Sequence, residues 1–275
     1  MKKFIKIFGT KKPIVIGMVH CAPMPGYKDF PGAKIVENKF LHDFKALIAG
    51  GIDAVMIENN YDIPHYESAK KSTLPLLIKI CLKARKLTKK PLGLCVLWND
   101  YKNALLIAKK AKFNFVRNPV FVDKVKTEYG IFLPRADEAI KFRKKISAEN
   151  ILIFADVKVK HAKHLSKKSL AESVSEAIKK GANGIIITGK WTGDPPKNSD
   201  VNEAKKNADE IPVILGSGIT PKNFRKYNAD AFIVGSYFKG NDIKRERHEQ
   251  NIYHWAEKIK KEKVKKFIKS IKALR

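Results

Sequence analysis

Short apolar runs alternate with amphipathic stretches along most of the chain. The apolar runs are rich in Val, Ile and Leu and mostly continuous, which is typical of parallel strands covered on both faces. The pattern predicts eight strands, at Pro13–Val19, Ala54–Glu58, Leu92–Leu97, Phe113–Arg117, Ile151–Val159, Gly184–Thr188, Pro212–Leu215 and Ala231–Val234.

Helical patterns fill the segments between these strands. They are predicted at Lys34–Ala49, Thr73–Thr88, Tyr101–Lys110, Arg135–Ile146, Lys168–Lys179, Asp200–Ala208 and Pro221–Tyr227. Gly50, Gly51 and Gly181 stand where helices should end before the next strand. Eight βα units with no long low-complexity segment predict a single-domain closed (β/α)8 barrel, the TIM-barrel fold, over residues 1–275. A doubly wound open sheet is the alternative.

The last segment, Asn251–Leu274, is amphipathic and rich in Lys. Its apolar side chains recur at helical spacing, so we predict a final barrel helix with these residues facing inward: Trp255, Ile259, Val264, Phe267, Ile268 and Ile271. The alternative is a helix that lies on a membrane surface.

Composition sets limits on the class of protein. The 275 residues are close to the ~250 of one such barrel. No apolar run approaches the ~20 residues that span a bilayer, and residues 1–9 make a poor signal peptide, so we expect a cytosolic protein. Cys21, Cys81 and Cys95 are too far apart in sequence to indicate a disulfide or zinc site.

The chain is strongly basic: it has 56 Lys and Arg residues and 27 Asp and Glu residues, which gives a net charge of +29. Solvated helix faces rich in Lys are one explanation. Weak association with nucleic acid or an anionic membrane is the other. Arg, which reads bases and phosphates in bidentate fashion, is scarce. Homo-oligomerisation stays open, because nothing in the sequence identifies an interface.

Barrels of this kind bind ligands at the carboxyl ends of their strands. After strands seven and eight stand Gly216-Ser217-Gly218 and Gly235-Ser236. Glycine lets the backbone approach an anion and present its amides. Thr220 can cap a helix that begins at Pro221, which adds positive potential. Because these two loops are where such barrels hold phosphate, we predict a phosphate site there.

Ionisable side chains at the other strand ends are the candidates for catalysis: His20, Glu58, Asp156, Lys160 and His161. Period-two alternation predicts that Asp156, Lys158 and Lys160 share one face inside the barrel. A carboxylate beside a Lys sets up proton transfer, the Lys holds an anion or forms a Schiff base, or the two make a structural ion pair.

Polar residues near the strand ends are candidate substrate contacts: Asn59, Asn99, Asp100, Arg117, Thr188 and Thr192. Arg117 suits a carboxylate or phosphate. No cofactor is predicted. A divalent metal held by His20 or His161 with Glu58 or Asp156 stays an alternative, although no His spacing typical of metal sites supports it.

Several ordered motifs together resemble the BtpA/SgcQ family. They are Ile16-Gly-Met-Val-His20, Pro23-x-Pro25-Gly26, Glu58-Asn59 with Asp62-x-Pro64, Asn99-Asp100, Ala155-Asp156-Val157 through Lys160-His161, Thr188-Gly189-x-x-Thr192-Gly193, Gly216-Ser-Gly218 and Val234-Gly-Ser236-x-x-Lys239. The resemblance runs from about Pro13 to Lys239. It departs from the family pattern at Trp98, where we expect an aliphatic or basic residue.

The resemblance implies a phosphate-binding barrel. Cyanobacterial members of the family are linked to photosystem I biogenesis at the thylakoid surface, and a bacterial relative lies among sugar-phosphate uptake genes. Two hypotheses follow. The first is an enzyme acting on a phosphorylated sugar or nucleoside by aldol, isomerase or epimerase chemistry. The second is a non-enzymatic assembly or stability factor that docks on an anionic surface.

Overall fold

The computed structural model of the chain describes residues 1–10, 13–239 and 255–273. Its strands, in chain order, are β1 (Ile14–His20), β2 (Ala54–Glu58), β3 (Leu92–Cys95), β4 (Phe115–Asn118), β5 (Val125–Thr127), β6 (Gly130–Phe132), β7 (Leu152–Asp156), β8 (Lys163–His164), β9 (Gly184–Ile187), β10 (Val213–Leu215) and β11 (Ala231–Val234).

The helices in the described ranges are α1 (Lys2–Phe8), α2 (Ala33–Ala49), α3 (Leu74–Leu87), α4 (Tyr101–Lys110), α5 (Ala136–Lys145), α6 (Leu170–Lys179), α7 (Asn198–Asn207), α8 (Ser236–Lys239) and α9 (Lys261–Lys272). A 3₁₀ turn spans Phe224–Lys226. Local sequence explains several starts: Ser169 and Glu172 form a reciprocal capping box at α6, and Asp100 caps α4.

Eight parallel strands close into a barrel in the order β1-β11-β10-β9-β7-β4-β3-β2. The strands pair in parallel all the way round, from β1 with β2 to β11 back with β1. The predicted (β/α)8 barrel is therefore confirmed, and the doubly wound alternative is wrong, because an open sheet would leave two edge strands unpaired.

The amino-terminal end of the barrel is closed by an element that the sequence analysis did not predict. Helix α1 packs Phe4 and Phe8 against Phe115 and Phe154, which line the barrel interior. The rings of Phe4 and Phe8 lie 4.4 Å apart and those of Phe115 and Phe154 4.8 Å apart. This end is therefore filled with aromatic and aliphatic side chains.

A small antiparallel sheet is the second unpredicted element. Strands β5, β6 and β8, from the segments that follow β4 and β7, pair in the order β6-β5-β8. Trp98, Val125 and Phe132 form a separate apolar cluster beneath it. The sheet joins two βα loops at the carboxyl end of the barrel.

Two predicted elements are wrong in extent. Strand five ends at Asp156 rather than Val159. The helix predicted at Pro221–Tyr227 is only the 3₁₀ turn, because the Asn223 side chain accepts from the Thr220 amide at 2.8 Å and donates to the Gly218 carbonyl at 2.8 Å. These bonds stabilise a loop, and Thr220 therefore caps no α-helix there.

The carboxyl-terminal helix packs as predicted over its described part. Residues 251–254 and Leu274 of the predicted helix lie outside the described residues. Residues 255–260 are described and are not helical, so the prediction is wrong there, and α9 begins at Lys261. Ile259, Val264, Phe267, Ile268 and Ile271 are buried in the main core, and Trp255 packs partly against it. The apolar face of α9 is thus covered by the barrel.

Candidate functional site

Alternation along the strands decides which side chains reach the top of the barrel interior. Met18, Met56, Phe115, Phe154 and Ile233 belong to the apolar inner cluster. The inward positions one step further along the strands carry different residue types, namely His20, Glu58, Arg117, Asp156, Thr188, Gly216 and Gly235. Charged groups therefore lie on the side of β1, β2, β4 and β7, and glycines lie on the side of β10 and β11.

A cavity of about 200 Å³ opens at this end of the barrel. Its wall brings together the two groups of predicted residues: His20, Glu58, Arg117, Lys160, His161 and Thr192 on one side, and Gly216, Ser217, Gly218, Gly235 and Ser236 on the other. Eleven predicted site residues from seven βα segments thus share one cavity.

His20, Glu58 and Lys239 form a chain of contacts at one side of the cavity. Lys239 Nζ lies 3.0 Å from His20 Nδ1, and His20 Nε2 lies 3.4 Å from Glu58 Oε2. Burial, followed by the charge of Lys239, lowers the pKa of His20 to about 4. A neutral imidazole accepts from Lys239 and presents its Nε2 proton to Glu58, which fixes its tautomer.

Glu58 is ionised in this arrangement. Burial alone would raise its pKa, but contact with His20 and the charge of Arg117 outweigh burial and hold the pKa well below the usual value. The side chain keeps a small exposure at the cavity. Glu58 is therefore a carboxylate that can accept a proton from a bound ligand.

Arg117 and Asp156 make a bidentate ion pair. Arg117 Nε and Nη2 donate to the two Asp156 oxygens, each at 2.7 Å. Burial opposes the charge of Arg117, but Asp156 outweighs it and raises the pKa of Arg117 above its usual value. Arg117 lines the cavity, and its Nη1 makes no hydrogen bond to the described residues, whereas Asp156 lies behind it. Asp156 is thus placed to orient Arg117.

Lys160, His161 and Thr192 form a third group. Thr192 Oγ1 lies 3.1 Å from Lys160 Nζ and 2.9 Å from His161 Nε2. Burial, then the charge of Arg117, lowers the pKa of Lys160 to about 8. Burial, then the charge of Lys160, lowers the pKa of His161 to about 3. At neutral pH the His161 ring is therefore uncharged, and part of the Lys160 population is a neutral amine.

The glycine side of the cavity presents backbone amides. The N–H groups of Ser217, Gly218, Gly235 and Ser236 make no hydrogen bond within the described part of the chain. Gly218 has φ +66°, and a Cβ there would lie 2.1 Å from Pro195 N. Only glycine fits this position, and the residues of both loops line the one cavity.

The Ser217 hydroxyl has partners within the chain. Its Oγ accepts from the Gly189 amide at 2.8 Å and donates to the Asp194 carbonyl at 2.7 Å. Ser217 therefore ties the loop after β10 to the loop after β9. Its contribution to an anion site is its backbone amide rather than its hydroxyl.

Four predicted contacts lie elsewhere. Asn59 is buried between Asp62 and the Leu97 amide, and Asn99 donates to Leu133. Asp100 accepts from Ala69 and Asn103. None of these three lines the cavity. Thr188 Oγ1 accepts from the Lys160 amide and lines a neighbouring groove. In this structure the polar atoms of the four residues hold loops together, and their roles as substrate contacts stay predictions.

The predicted face of Asp156, Lys158 and Lys160 is also wrong. The strand ends at Asp156, and Lys158 adopts φ +53°, which breaks the alternation. Lys158 Nζ donates to the Lys168 carbonyl, away from the cavity. Asp156 pairs with Arg117 instead of a lysine.

The sequence analysis did not predict two residues of the site. Lys239 contacts His20 beside the cavity, and its place one turn after Ser236 turns its side chain back over the barrel. His65 is held by Trp98 Nε1, 2.8 Å from its Nδ1, and by the Asn60 carbonyl, 2.8 Å from its Nε2. No sequence spacing indicated His65, since a long loop brings it to the site.

Two features are absent from the described ranges. No three His, Cys, Asp or Glu side chains gather there into a group that could hold a metal ion. No helix there has the length and apolarity that crossing a bilayer requires.

The sequence matches known proteins over most of its length. A model of the BtpA family matches residues 10–273. A protein from Thermococcus kodakarensis is 35% identical and covers 96% of this chain and 97% of its own. The photosystem I biogenesis protein BtpA from Synechocystis is 34% identical, covering 84% of this chain and 82% of that protein.

Solved structures share the fold at low identity. The tryptophan synthase α-subunit from Pyrococcus furiosus has TM-score 0.57 at 14% identity and covers 95% of this chain and 97% of its own. A 2-keto-3-deoxy-6-phospho-gluconate aldolase from Zymomonas mobilis has TM-score 0.55 at 12% identity, covering 96% and 95%. At such identities the likeness shows the TIM-barrel fold alone.

Proposed function

The chain belongs to the BtpA family, and from this premise we propose that it is an enzyme acting on a phosphorylated sugar or nucleoside. One observation carries the proposal: two loops whose backbone amides have no hydrogen-bond partner among the described residues line the same cavity as the Glu58 carboxylate, the Arg117 guanidinium and the Lys160 amine. Neighbours of similar fold include a phospho-gluconate aldolase and a phosphoribosyl anthranilate isomerase.

The phosphate group would bind the amides of Ser217, Gly218, Gly235 and Ser236. A backbone amide that donates to an anion gains a hydrogen-bond partner and stabilises the negative charge of the anion, and no charged side chain is required. Gly235 leaves space next to His20, since a Cβ on Gly235 would lie 3.3 Å from the His20 ring.

The carbon skeleton of the ligand would then extend toward Glu58, Arg117 and Lys160. Glu58 would accept a proton from a carbon next to a carbonyl, with His20 holding the carboxylate in place. Arg117 would stabilise negative charge that develops on the carbonyl oxygen, and the Lys160 amine would lie beside the same carbonyl group. This arrangement supports aldol, isomerase or epimerase chemistry.

The alternative hypothesis, docking on an anionic surface, would not use these inward groups. It would use the exposed lysines, and its affinity would fall steeply with salt. The apolar face of α9 is already covered by the barrel, so α9 would contact such a surface through charge alone.

A matched pair of serine variants tests the proposal. Binding of inorganic phosphate and ribose 5-phosphate is measured by calorimetry and by the rise in melting temperature. At about 100 times its Kd a ligand stabilises the fold by about 2.7 kcal/mol. Ser236→Asp places a negative charge among the amides and should abolish this stabilisation.

The control is Ser199→Asp, the same change at an exposed position in the first turn of α7, where a helix tolerates negative charge. It should bind like the unmodified chain. If neither compound binds the unmodified chain, or if Ser236→Asp binds both equally well, the proposed phosphate site does not exist.

A further inference from the structure

The backbone around Lys160 is fixed in an unusual way. Lys158 and His161 both lie in the left-handed region, with φ +53° and +58°. The Lys160 amide donates to Thr188 Oγ1 at 3.1 Å, and the His161 amide donates to the Lys190 carbonyl at 3.2 Å. These turns direct Lys158 outward and Lys160 into the cavity. Such conformations of non-glycine residues concentrate where structure positions a functional group.

The surroundings of the Lys160 amine are unusual as well. Its Nζ hydrogen-bonds to a neutral hydroxyl, that of Thr192, and it has no carboxylate within ion-pair distance among the described residues. The nearby Arg117 is permanently charged and opposes a second positive charge, as does burial. A lysine in such a place is available as a neutral amine, which is the nucleophilic form.

We propose that Lys160 attacks the carbonyl carbon of a phosphorylated aldehyde or ketone and forms an imine with it. The inference rests on the proposed function, because the phosphate site would hold the ligand while its carbonyl reaches Nζ. It narrows the substrate class to carbonyl phosphates and selects aldol-type bond cleavage or formation from the three reaction types.

The step balances without an oxidant or reductant. The Nζ lone pair forms the C–N bond, and the carbonyl π electrons move to oxygen. One hydrogen of the amine and one proton from the medium leave with that oxygen as water, and the product is a protonated imine. Its positive charge withdraws electrons from a neighbouring C–H or C–C bond, and Glu58 is the base that accepts the released proton.

Reductive trapping tests the inference. The full chain is incubated separately with dihydroxyacetone phosphate and glyceraldehyde 3-phosphate, reduced with borohydride and analysed by intact-mass and peptide mass spectrometry. We expect one saturable adduct per chain, on Lys160, and its loss when inorganic phosphate is present in excess.

Two conservative variants separate Lys160 from the many other lysines. Lys160→Arg keeps the charge and should lose the adduct, whereas Lys163→Arg, at an exposed position on β8, should retain it. Binding of inorganic phosphate by Lys160→Arg, measured as above, shows that the variant is folded.

The two proposals fail differently. Adducts that scatter over surface lysines, or an equal adduct in Lys160→Arg, overturn the imine while the phosphate site stands, provided that inorganic phosphate still binds. If inorganic phosphate does not bind the unmodified chain and does not protect Lys160, the proposed function fails and the carbonyl phosphate class fails with it.

Discussion

The two ends of the barrel interior are lined by inward-facing residues of the same strands, and these residues differ completely in chemistry. At the amino-terminal end, Phe115 and Phe154 pack against α1. Two residues further along the same strands, Arg117 and Asp156 form an ion pair below the cavity. A spacing of two residues along each strand therefore separates the apolar layer of the interior from the polar site. The comparison teaches that stability and chemistry are divided between two layers of one interior.

Phe154→Ala should have the largest effect on stability. The ring is fully buried and packs against Phe4, Phe8 and Phe115, so its loss should cost about 4 kcal/mol of unfolding free energy, measured by urea denaturation. Phe154→Leu, which leaves a smaller void, should cost less than half of that. If the lower layer serves only stability, folded Phe154→Ala binds inorganic phosphate unchanged; a large loss of affinity would contradict the division.

Asp156→Asn should have the next largest effect. It leaves the buried Arg117 without its counter-charge, which should cost about 3 kcal/mol of unfolding free energy by the same measurement. The double variant Arg117→Met/Asp156→Leu removes both charges and should recover most of that stability. An Asp156→Asn protein as stable as the unmodified chain would show that the ion pair is not buried in solution.

The Lys239 contact predicts a pH dependence. Burial, then the charge of Lys39, lowers the pKa of Lys239 to about 7 from its usual 10.5. Between these two values the unfolded chain binds a proton that the folded chain does not, so unfolding free energy should rise with pH by up to about 1.4 kcal/mol per unit.

The measurement is the difference between the unmodified chain and Lys239→Met, taken by urea denaturation from pH 7 to 10. The variant lacks the titrating amine, so the difference should change with pH across this window. A constant difference would mean that Lys239 keeps an ordinary pKa in the folded protein.

Gly235→Ala should have the smallest effect on stability and a strong effect on binding. A Cβ at this position meets His20 and Met18 at 3.3 Å, which a small shift can relieve, and alanine restricts the unfolded chain. The unfolding free energy should change by less than about 1 kcal/mol, while inorganic phosphate binding is lost. A variant that binds normally would show that the anion does not lie against β11.

The sequence predicted the barrel because its strands are apolar and regularly spaced, and it predicted the polar rim because the residues that follow each strand lie at the same end of the barrel. It failed where side chains replace regular backbone bonding. Asn223 holds a loop that a Thr-Pro pair suggested was helical. At Lys158 a left-handed residue ends the alternation that should have continued to Lys160.

Other parts of the site depend on contacts distant in sequence. Lys239 meets His20 across 219 residues of chain, and His65 reaches the cavity because Trp98 and Asn60 hold its ring. Alternation gave Asp156 an inward position but not its partner, which is Arg117 on the neighbouring strand. Pairing of this kind follows from strand order and register, which a single sequence does not contain.

At the left-handed residues Lys158 and His161, the change that would raise stability differs from the one that would keep the Lys160 side chain in place. Glycine at either position would relieve conformational strain, and heat resistance would improve. Glycine would also make the backbone that positions the Lys160 amine more flexible. Directed evolution scored on melting temperature alone would therefore favour glycine at these two positions, at the expense of a fixed position for the Lys160 amine.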